Sequence, residues 1–385
     1  MIAGLIQART GSQRCKNKML RDFGNTNLIS LALEKFSVSS KSFNLYFAAH
    51  EEELLRIGEN FECNKIKRDE SSAKGERIEV VMNYLQQIPE DYVMFINACC
   101  PFLTLDTLEK AIHCFKENNA LSMTAVVKTH TWYYFQDGRP VNFLDPTNLN
   151  TKSTEPLYAV THAFHIFNKK RFLENHYFWA HGENDPYFFE IPDKEAIDID
   201  TELEFQIAES LYAREQNQIT MRISEKLSKI KMFIMDVDGV LTDAGMYYSA
   251  TGDEMKKFNT RDGMGLKLLR KSGIKQAIIT GENTQIVKDR ARKLKIDEVH
   301  LGIDNKIAVL ESLLSKYSLA PDEVAYIGDD INDLAIFDKV GIACSVSDAL
   351  DDVKQKADYV TKAKGGEGAV REVCEILLKY HNQTG

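Results

Sequence analysis

The run Phe233-Ile234-Met235-Asp236-Val237-Asp238-Gly239-Val240-Leu241-Thr242 ends an apolar segment in two carboxylates two residues apart. If that segment is a strand, its two-residue side-chain period lets both carboxylates converge, provided the chain turns at Gly239. Such a pair can hold Mg²⁺ while one member attacks phosphorus and the other protonates the leaving oxygen. Thr280 and Gly281 follow a second apolar run, where a hydroxyl and a free amide can hold phosphate oxygens. Lys306 can neutralise the charge of an aspartyl-phosphate. The run Gly328-Asp329-Asp330-Ile331-Asn332-Asp333 offers hard oxygen ligands to a metal, Asp329 foremost. Each piece alone is commonly surface charge or a turn. Together, in this order and after apolar runs, they point to phosphoryl chemistry.

A second set lies near the start of the chain. Gln7-Ala8-Arg9-Thr10-Gly11-Ser12-Gln13-Arg14-Cys15-Lys16-Asn17-Lys18 gathers glycine, serine and cations after a first apolar run. Backbone N–H groups in such a loop can cradle a triphosphate while Arg and Lys offset its charge. The spacing is not that of a Walker loop. Much later, Ala196-Ile197-Asp198-Ile199-Asp200-Thr201-Glu202 alternates two carboxylates on what reads as an extended segment before a helix. Asp198 and Asp200 can hold Mg²⁺ there, although Asp200 also reads as a helix cap. Cys99 and Cys100 read as small buried hydrophobes rather than nucleophiles.

Elements of an α/β protein must position these groups. Strands are expected at Ile2–Ala8, Phe43–Ala48, Tyr92–Ile96 and Ser122–Val127, with helices at Leu28–Phe36 and Leu105–Phe115. After a long helical stretch, Glu202–Lys229, the cycle restarts with strands at Met232–Val237, Ala277–Ile279 and Val324–Ile327 and helices at Met264–Lys271 and Ile286–Leu294. This alternation predicts two Rossmann-like domains with mostly parallel sheets, at 1–220 and 228–385. A chain of 385 residues agrees with two cores.

Composition excludes several classes. Net charge is −9, and acidic residues outnumber basic ones both before and after residue 222, so no nucleic-acid partner is expected. No stretch approaches the ~18 apolar residues of a membrane span, and no signal segment precedes Ile2–Ile6. Seven scattered cysteines with no CxxC pair predict reduced thiols in a cytoplasmic protein.

The order DxDGxxT, TG, K and GDDxxD resembles the haloacid dehalogenase (HAD) superfamily over residues 231–380. Within it, Asp236–Asp243, the run Lys257-Phe258-Asn259-Thr260-Arg261-Asp262-Gly263-Met264-Gly265 and Gly365-Gly366-Glu367-Gly368-Ala369-Val370-Arg371-Glu372 are similar to capless phosphatases of 3-deoxy-ulosonate phosphates. The resemblance implies catalysis by Asp236, Asp238, Lys306 and Thr280, with Asp236, Asp238 and Asp329 on Mg²⁺. It also implies substrate contacts from Gly281, Asp333 and an arginine that is either Arg371 or Arg261. In that family a neighbouring subunit closes the site, so a homotetramer is expected.

The opening loop and the Ile-Asp-Ile-Asp-Thr-Glu stretch resemble sugar cytidylyltransferases, acylneuraminate enzymes in particular, over residues 1–215. That implies a nucleotide-diphospho-sugar transferase fold ahead of the HAD fold. Arg9, Gly11, Ser12, Arg14 and Lys18 would bind CTP, Asp198 and Asp200 the metal, and Asn97 substrate. Two stretches depart from that family: Asn97-Ala98-Cys99-Cys100-Pro101-Phe102 stands in place of Q-P-T-S-P-L, and Thr161-His162-Ala163 in place of N-G-A. The acceptor is therefore not assumed to be ordinary N-acetylneuraminate, and His162 and His165 read as packed or substrate-facing. The joint expectation is a bifunctional enzyme that dephosphorylates a 3-deoxy-ulosonate and transfers CMP from CTP to the free acidic sugar. The alternative is cytidylyl transfer to another capsule precursor, with the HAD domain mainly an oligomerisation module.

Overall fold

The computed structural model describes residues 2–37, 42–142, 150–151, 154–179, 181–182, 185–249 and 252–381. The chain divides into two compact units, Met1–Glu215 and Gln216–Gly385. The division falls inside one helix, Glu202–Ser228, rather than in an irregular linker. Its later part is polar but rich in Glu, Gln, Lys and Arg, which sustain a helix, and a Glu225–Lys229 ion pair spans one turn at 3.3 Å.

In the first unit the strands are β1 (Ile2–Gln7), a small hairpin of β2 (Asp22–Phe23) and β3 (Thr26–Asn27), then β4 (Phe43–Ala49) and β5 (Asn64–Lys67). They continue as β6 (Tyr92–Ile96), β7 (Ser122–Thr129), β8 (Leu157–Asn168) and β9 (Tyr187–Glu190). Seven form one sheet in the order β5-β4-β1-β6-β8-β7-β9. Only β8 runs against the rest: it is antiparallel to both β6 and β7. Apolar clusters fill both faces. One holds Ile6, Phe47 and Ile96, the other Leu5, Tyr46 and Val93. Burial on both sides is why these strands read as continuous apolar runs.

The second unit contains β10 (Met232–Met235), a hairpin of β11 (Tyr247–Ser249) and β12 (Gly252–Met255), then β13 (Lys275–Thr280), β14 (Glu298–Leu301), β15 (Val324–Gly328), β16 (Ile342–Ser345) and β17 (Tyr359–Val360). Six strands form a wholly parallel sheet in the order β14-β13-β10-β15-β16-β17. The first strand of the unit thus lies in the middle, with the chain crossing to either side of it. In open parallel sheets that switch point opens a crevice beyond the carboxyl ends of the strands. The first unit repeats the device, since β1 lies between β4 and β6.

Candidate active sites

In the second unit the chain leaves β10 at the switch point and turns sharply. Gly239 has φ +80°, and a Cβ there would collide with the Asp329 carboxylate. This close approach brings the two acidic loops together. Asp236, Asp329 and Asp333 each present a carboxylate oxygen within 4.8 Å of the others.

Lys306 begins the helix Lys306–Tyr317, which Asn305 caps by accepting from the Ala308 amide. Only 4% exposed, it donates to Asp236 Oδ2 at 2.7 Å and Asp333 Oδ1 at 2.6 Å. The hydroxyl of Tyr326 donates to the same Asp333 oxygen at 2.5 Å. Asp333 Oδ2 accepts the backbone amides of Asp329 and Asp330 at 3.0 and 3.3 Å, which fixes the acidic loop.

The balance of charge is one ammonium against three carboxyl groups, two buried and Asp329 half-buried. Burial and the neighbouring Asp333 push the Asp236 carboxyl up to about 6, although Lys306 opposes the shift. Burial, with Asp236 and Asp333 beside it, pushes Asp329 up to about 7. Burial disfavours the Lys306 cation, but Asp236 and Asp333 outweigh it and raise the lysine above its ordinary value. Crowded oxygen ligands with too little positive charge suit a hard divalent cation.

Asp238 stands apart from that trio. Both of its oxygens accept from Lys256, at 2.7 and 2.8 Å, and Thr242 donates to one of them at 3.2 Å. Thr280 ends β13 and is buried, while Gly281 just beyond it is exposed. Asp333, expected at the substrate, is 0% exposed and holds Lys306 and the acidic loop. Its carboxylate accepts from Lys306, Tyr326 and two backbone amides, and it is one of the three carboxylates whose oxygens lie close enough to share a metal ion. Arg261 is exposed at the start of the helix Thr260–Lys271. Arg371 pairs with Glu375 at 2.7 Å, and its backbone amide donates to Asp262. Among the described residues neither arginine bonds to the carboxylate cluster.

In the first unit a cavity of about 820 Å³ opens beyond β1 and β6. It is lined by Arg9, Gly11, Ser12, Arg14, Lys18, Asn97 and Asp200 of the expected set. Glu51 anchors the opening loop by accepting from the amide and hydroxyl of Thr10 at 2.9 and 2.7 Å. Arg14 and Lys18 meet opposite oxygens of Asp200 at 2.8 and 3.2 Å, and Lys18 also donates to the Ile199 carbonyl.

Residues 197–200 precede the helix Glu202–Ser228, as expected, and belong to no strand. The Ile199 amide instead donates to the Cys99 carbonyl at 3.0 Å. The cap of the following helix is Thr201, not Asp200. Its hydroxyl accepts from the Glu204 amide at 3.3 Å, and Glu204 accepts from the Thr201 amide at 2.7 Å, a reciprocal capping box. Asp200 is therefore left facing the cavity. Asp198 does not line it; its Oδ1 is buried with no hydrogen-bond partner among the described residues, and burial with Asp200 nearby raises its carboxyl above the usual range. An orphaned carboxylate oxygen beside a second carboxylate fits a divalent cation.

Three buried polar groups escaped the sequence reading. Lys256 immediately precedes the quoted run at Lys257, and Tyr326 is hidden in an apolar strand. Arg68 lines the nucleotide-sized cavity and bonds to the carbonyls of Ala8 and Ser72. A lone Arg after a short strand carries no spacing signal. Cys99 and Cys100 are buried, and burial pushes the Cys99 thiol up to about 11, so neither is poised as a nucleophile.

Known proteins share these two arrangements. The family described as Cytidylyltransferase matches residues 3–227, and that described as haloacid dehalogenase-like hydrolase matches residues 298–373. The 3-deoxy-D-manno-octulosonate 8-phosphate phosphatase KdsC of Escherichia coli K12 is 43% identical over 160 residues, 42% of this chain and 85% of that protein. Its counterpart from Yersinia pestis is 42% identical over 167 residues, 42% of this chain and 89% of that protein. A solved phosphatase of the same description from Moraxella catarrhalis is 41% identical, covers 43% of this chain and 94% of its own, and has a TM-score of 0.41. The chain thus belongs to the cytidylyltransferase family through its first unit and, through its second, to the haloacid dehalogenase-like phosphatases of the 3-deoxy-octulosonate 8-phosphate type.

Proposed function

We propose that this chain is a bifunctional enzyme of CMP-activated acidic-sugar synthesis. The second unit removes the terminal phosphate of a 3-deoxy-ulosonate, an octulosonate 8-phosphate or a nonulosonate 9-phosphate. The first joins the freed sugar to CMP from CTP and releases pyrophosphate. The observation that carries the reading is the buried Asp236–Lys306–Asp329–Asp333 cluster in a chain that also holds a cation-lined cavity.

In the phosphatase, Asp236 attacks phosphorus while the bond to the sugar oxygen breaks, and Asp238 delivers the proton that oxygen needs. The resulting aspartyl-phosphate is hydrolysed by water, with Asp238 taking the proton back. Lys306 and Thr280 steady the charge and the phosphate oxygens, Gly281 supplies an amide, and Arg261 or Arg371 meets the sugar acid. Asp236, Asp238 and Asp329 would hold Mg²⁺, whose chemistry is to neutralise the phosphate. In the transferase, Arg9, Gly11, Ser12, Arg14 and Lys18 bind the triphosphate. Asp198 and Asp200 would hold a second Mg²⁺, and Asn97 faces the acceptor. The sugar's anomeric hydroxyl attacks the α-phosphorus and pyrophosphate leaves.

The second units assemble into a homotetramer in the cytoplasm. Among the described residues no helix is long and apolar enough to cross a membrane.

The rival reading makes the second unit an oligomerisation module and the acceptor a different capsule precursor. A scaffold has no use for three carboxylates around one buried lysine, which favours catalysis. The test is to supply 3-deoxy-octulosonate 8-phosphate and CTP to the full chain and follow phosphate, pyrophosphate and product mass. Phosphate release followed by a CMP adduct is expected. Phosphate release with no CMP adduct from any of a panel of free ulosonic acids would discard the acceptor class.

A further inference from the structure

The antiparallel strand β8 carries an irregularity that the fold does not require. Its pairing with β7 runs regularly from Leu157 to Val160 and again from His165, but slips between, opposite Ala125. Within the slip His162 adopts φ +56°, a left-handed conformation that a side chain makes costly. Bulges of this kind re-aim a side chain and gather beside active sites. Here the bulge lies against the end of β6: the Asn97 amide donates to the Ala163 carbonyl at 3.0 Å, and Asn97 lines the nucleotide-sized cavity. A charge on His162 would lower the Asp198 carboxyl, against burial and the neighbouring Asp200, which raise it.

His162 is exposed, yet one of its nitrogens is committed. Its Nδ1 lies 3.1 Å from His165 Nε2, and His165 Nδ1 lies 2.8 Å from Thr124 Oγ1. His165 is buried, with its ring stacked on Phe178 at 4.8 Å. Burial holds the His165 ring down at about 3, so it is neutral and has one donor and one acceptor nitrogen. Thr124 is also completely buried, and among the described residues His165 is the one partner of its hydroxyl. Were His165 Nδ1 the donor, the Thr124 proton would be buried without an acceptor, at a cost of about 1–3 kcal/mol. The favoured polarity therefore runs outward. Thr124 donates to His165 Nδ1, and His165 Nε2–H donates to His162 Nδ1. A neutral His162 must then carry its proton on Nε2, which has no protein partner among the described residues.

We infer that Thr124, His165 and the bulge of β8 form a relay that presents His162 Nε2–H as a fixed hydrogen-bond donor to an oxygen of the acceptor substrate. This rests on the reading of the first unit as a transferase to an acidic sugar. The group recognised is a carboxylate, carbonyl or hydroxyl oxygen next to the carboxylates Asp198 and Asp200. His162 is the binding residue; Thr124 and His165 position it.

Two measurements on the full chain test this. In the first, pyrophosphate release is followed with CTP and a panel of free ulosonic acids that includes 3-deoxy-octulosonate and N-acetylneuraminate. His162→Phe is expected to raise KM for the accepted acid at least tenfold while KM for CTP stays within twofold. His162→Asn, which keeps a donor, is expected to recover part of the loss. Thr124→Val is expected to shift the acid KM in the same direction by less. Unchanged acid KM in His162→Phe overturns the inference. In the second, ¹⁵N-histidine NMR of the ligand-free chain at a pH where both rings are shown to be neutral, with His162→Gln and His165→Gln for assignment, is expected to show both protonated at Nε2. The opposite tautomer at either ring also overturns it. If the wild type accepts no acid in the panel, the acceptor class fails, and the NMR pattern alone decides the relay.

Discussion

Both units place their candidate chemistry beyond the carboxyl end of a first strand that lies inside its sheet, β1 in one and β10 in the other. They meet phosphate in opposite ways. The first surrounds a wide cavity with cations, Arg9, Arg14, Lys18 and Arg68, and keeps its carboxylates to one side. The second packs three carboxyl groups and one lysine into a tight, largely buried cluster. A triphosphate must be held whole while one bond is exchanged, so many weak cationic contacts over a large volume serve it. A monoester needs one nucleophile aimed at one phosphorus, so the second unit concentrates its groups. The same switch-point geometry supports either solution because the loops, not the sheet, supply the chemistry.

The sharpest way to break the comparison is to remove one group from each site and ask whether the other notices. Asp236→Asn is expected to abolish phosphate release, a loss of several orders of magnitude, because a covalent nucleophile has no substitute. Pyrophosphate release from CTP should remain near the wild-type rate. Substantial residual phosphate release would end the assignment of Asp236. In the reverse direction, Asp198→Ala or Asp200→Ala is expected to slow cytidylyl transfer by several kcal/mol of barrier, on the order of what Lewis-acid stabilisation supplies. Dephosphorylation should be spared. Near wild-type turnover of either variant at limiting Mg²⁺ would show that its carboxylate holds no metal.

Much of this division was legible in the sequence, and the reason differs between the sites. Tyr92–Ile96 and Val324–Ile327 are short apolar runs bounded by polar residues, and each is a strand within a residue of its expected ends. The acidic motifs directly follow such strands, and the pairing of β10 with β15 brings Asp236 and Asp329 together. Partners that lie outside the acidic motifs could not be read this way. Lys256 reaches Asp238 through the hairpin of β11 and β12, and Tyr326 looks like any core aromatic until its hydroxyl meets Asp333. The bulge at His162 was equally invisible, because left-handed histidine has no sequence signature comparable to glycine's. The alternation Ile-Asp-Ile-Asp likewise gave no sign that Ile199 would bond to the Cys99 carbonyl from outside any strand.

The role of charge in the second unit can be sharpened through stability. Lys306 is the ammonium that offsets Asp236 and Asp333, and its side chain is almost fully buried. Lys306→Met should therefore leave the acidic cluster uncompensated, at a cost of about 3–5 kcal/mol in stability and with phosphatase activity lost. Mg²⁺ should raise the melting temperature of this variant more than that of the wild type, because the cation would take over part of the missing positive charge. A variant that melts as the wild type does without Mg²⁺ would mean that the cluster sheds its charge by protonation instead.

The smallest expected effect separates a cap from a ligand in the first unit. Thr201 and Asp200 are neighbours at the start of one helix, and either could have been its cap. The hydrogen bonds give that task to Thr201 and Glu204, while Asp200 turns to Arg14 and Lys18. Thr201→Ala removes the hydroxyl that accepts from the Glu204 amide, but Glu204 can still accept from the backbone amides of residues 200 and 201. The loss should be about 1 kcal/mol of stability, the ordinary value of a helix cap. Pyrophosphate release from CTP should stay within about twofold, since a change smaller than RT ln 2 in the barrier is all that a slightly looser helix end supplies. Asp200→Ala should show the reverse pattern, with a nearly unchanged melting temperature and a large loss of turnover. If Thr201→Ala instead costs as much activity as Asp200→Ala, the helix start itself positions the reacting groups, and the two neighbours cannot be assigned separate tasks.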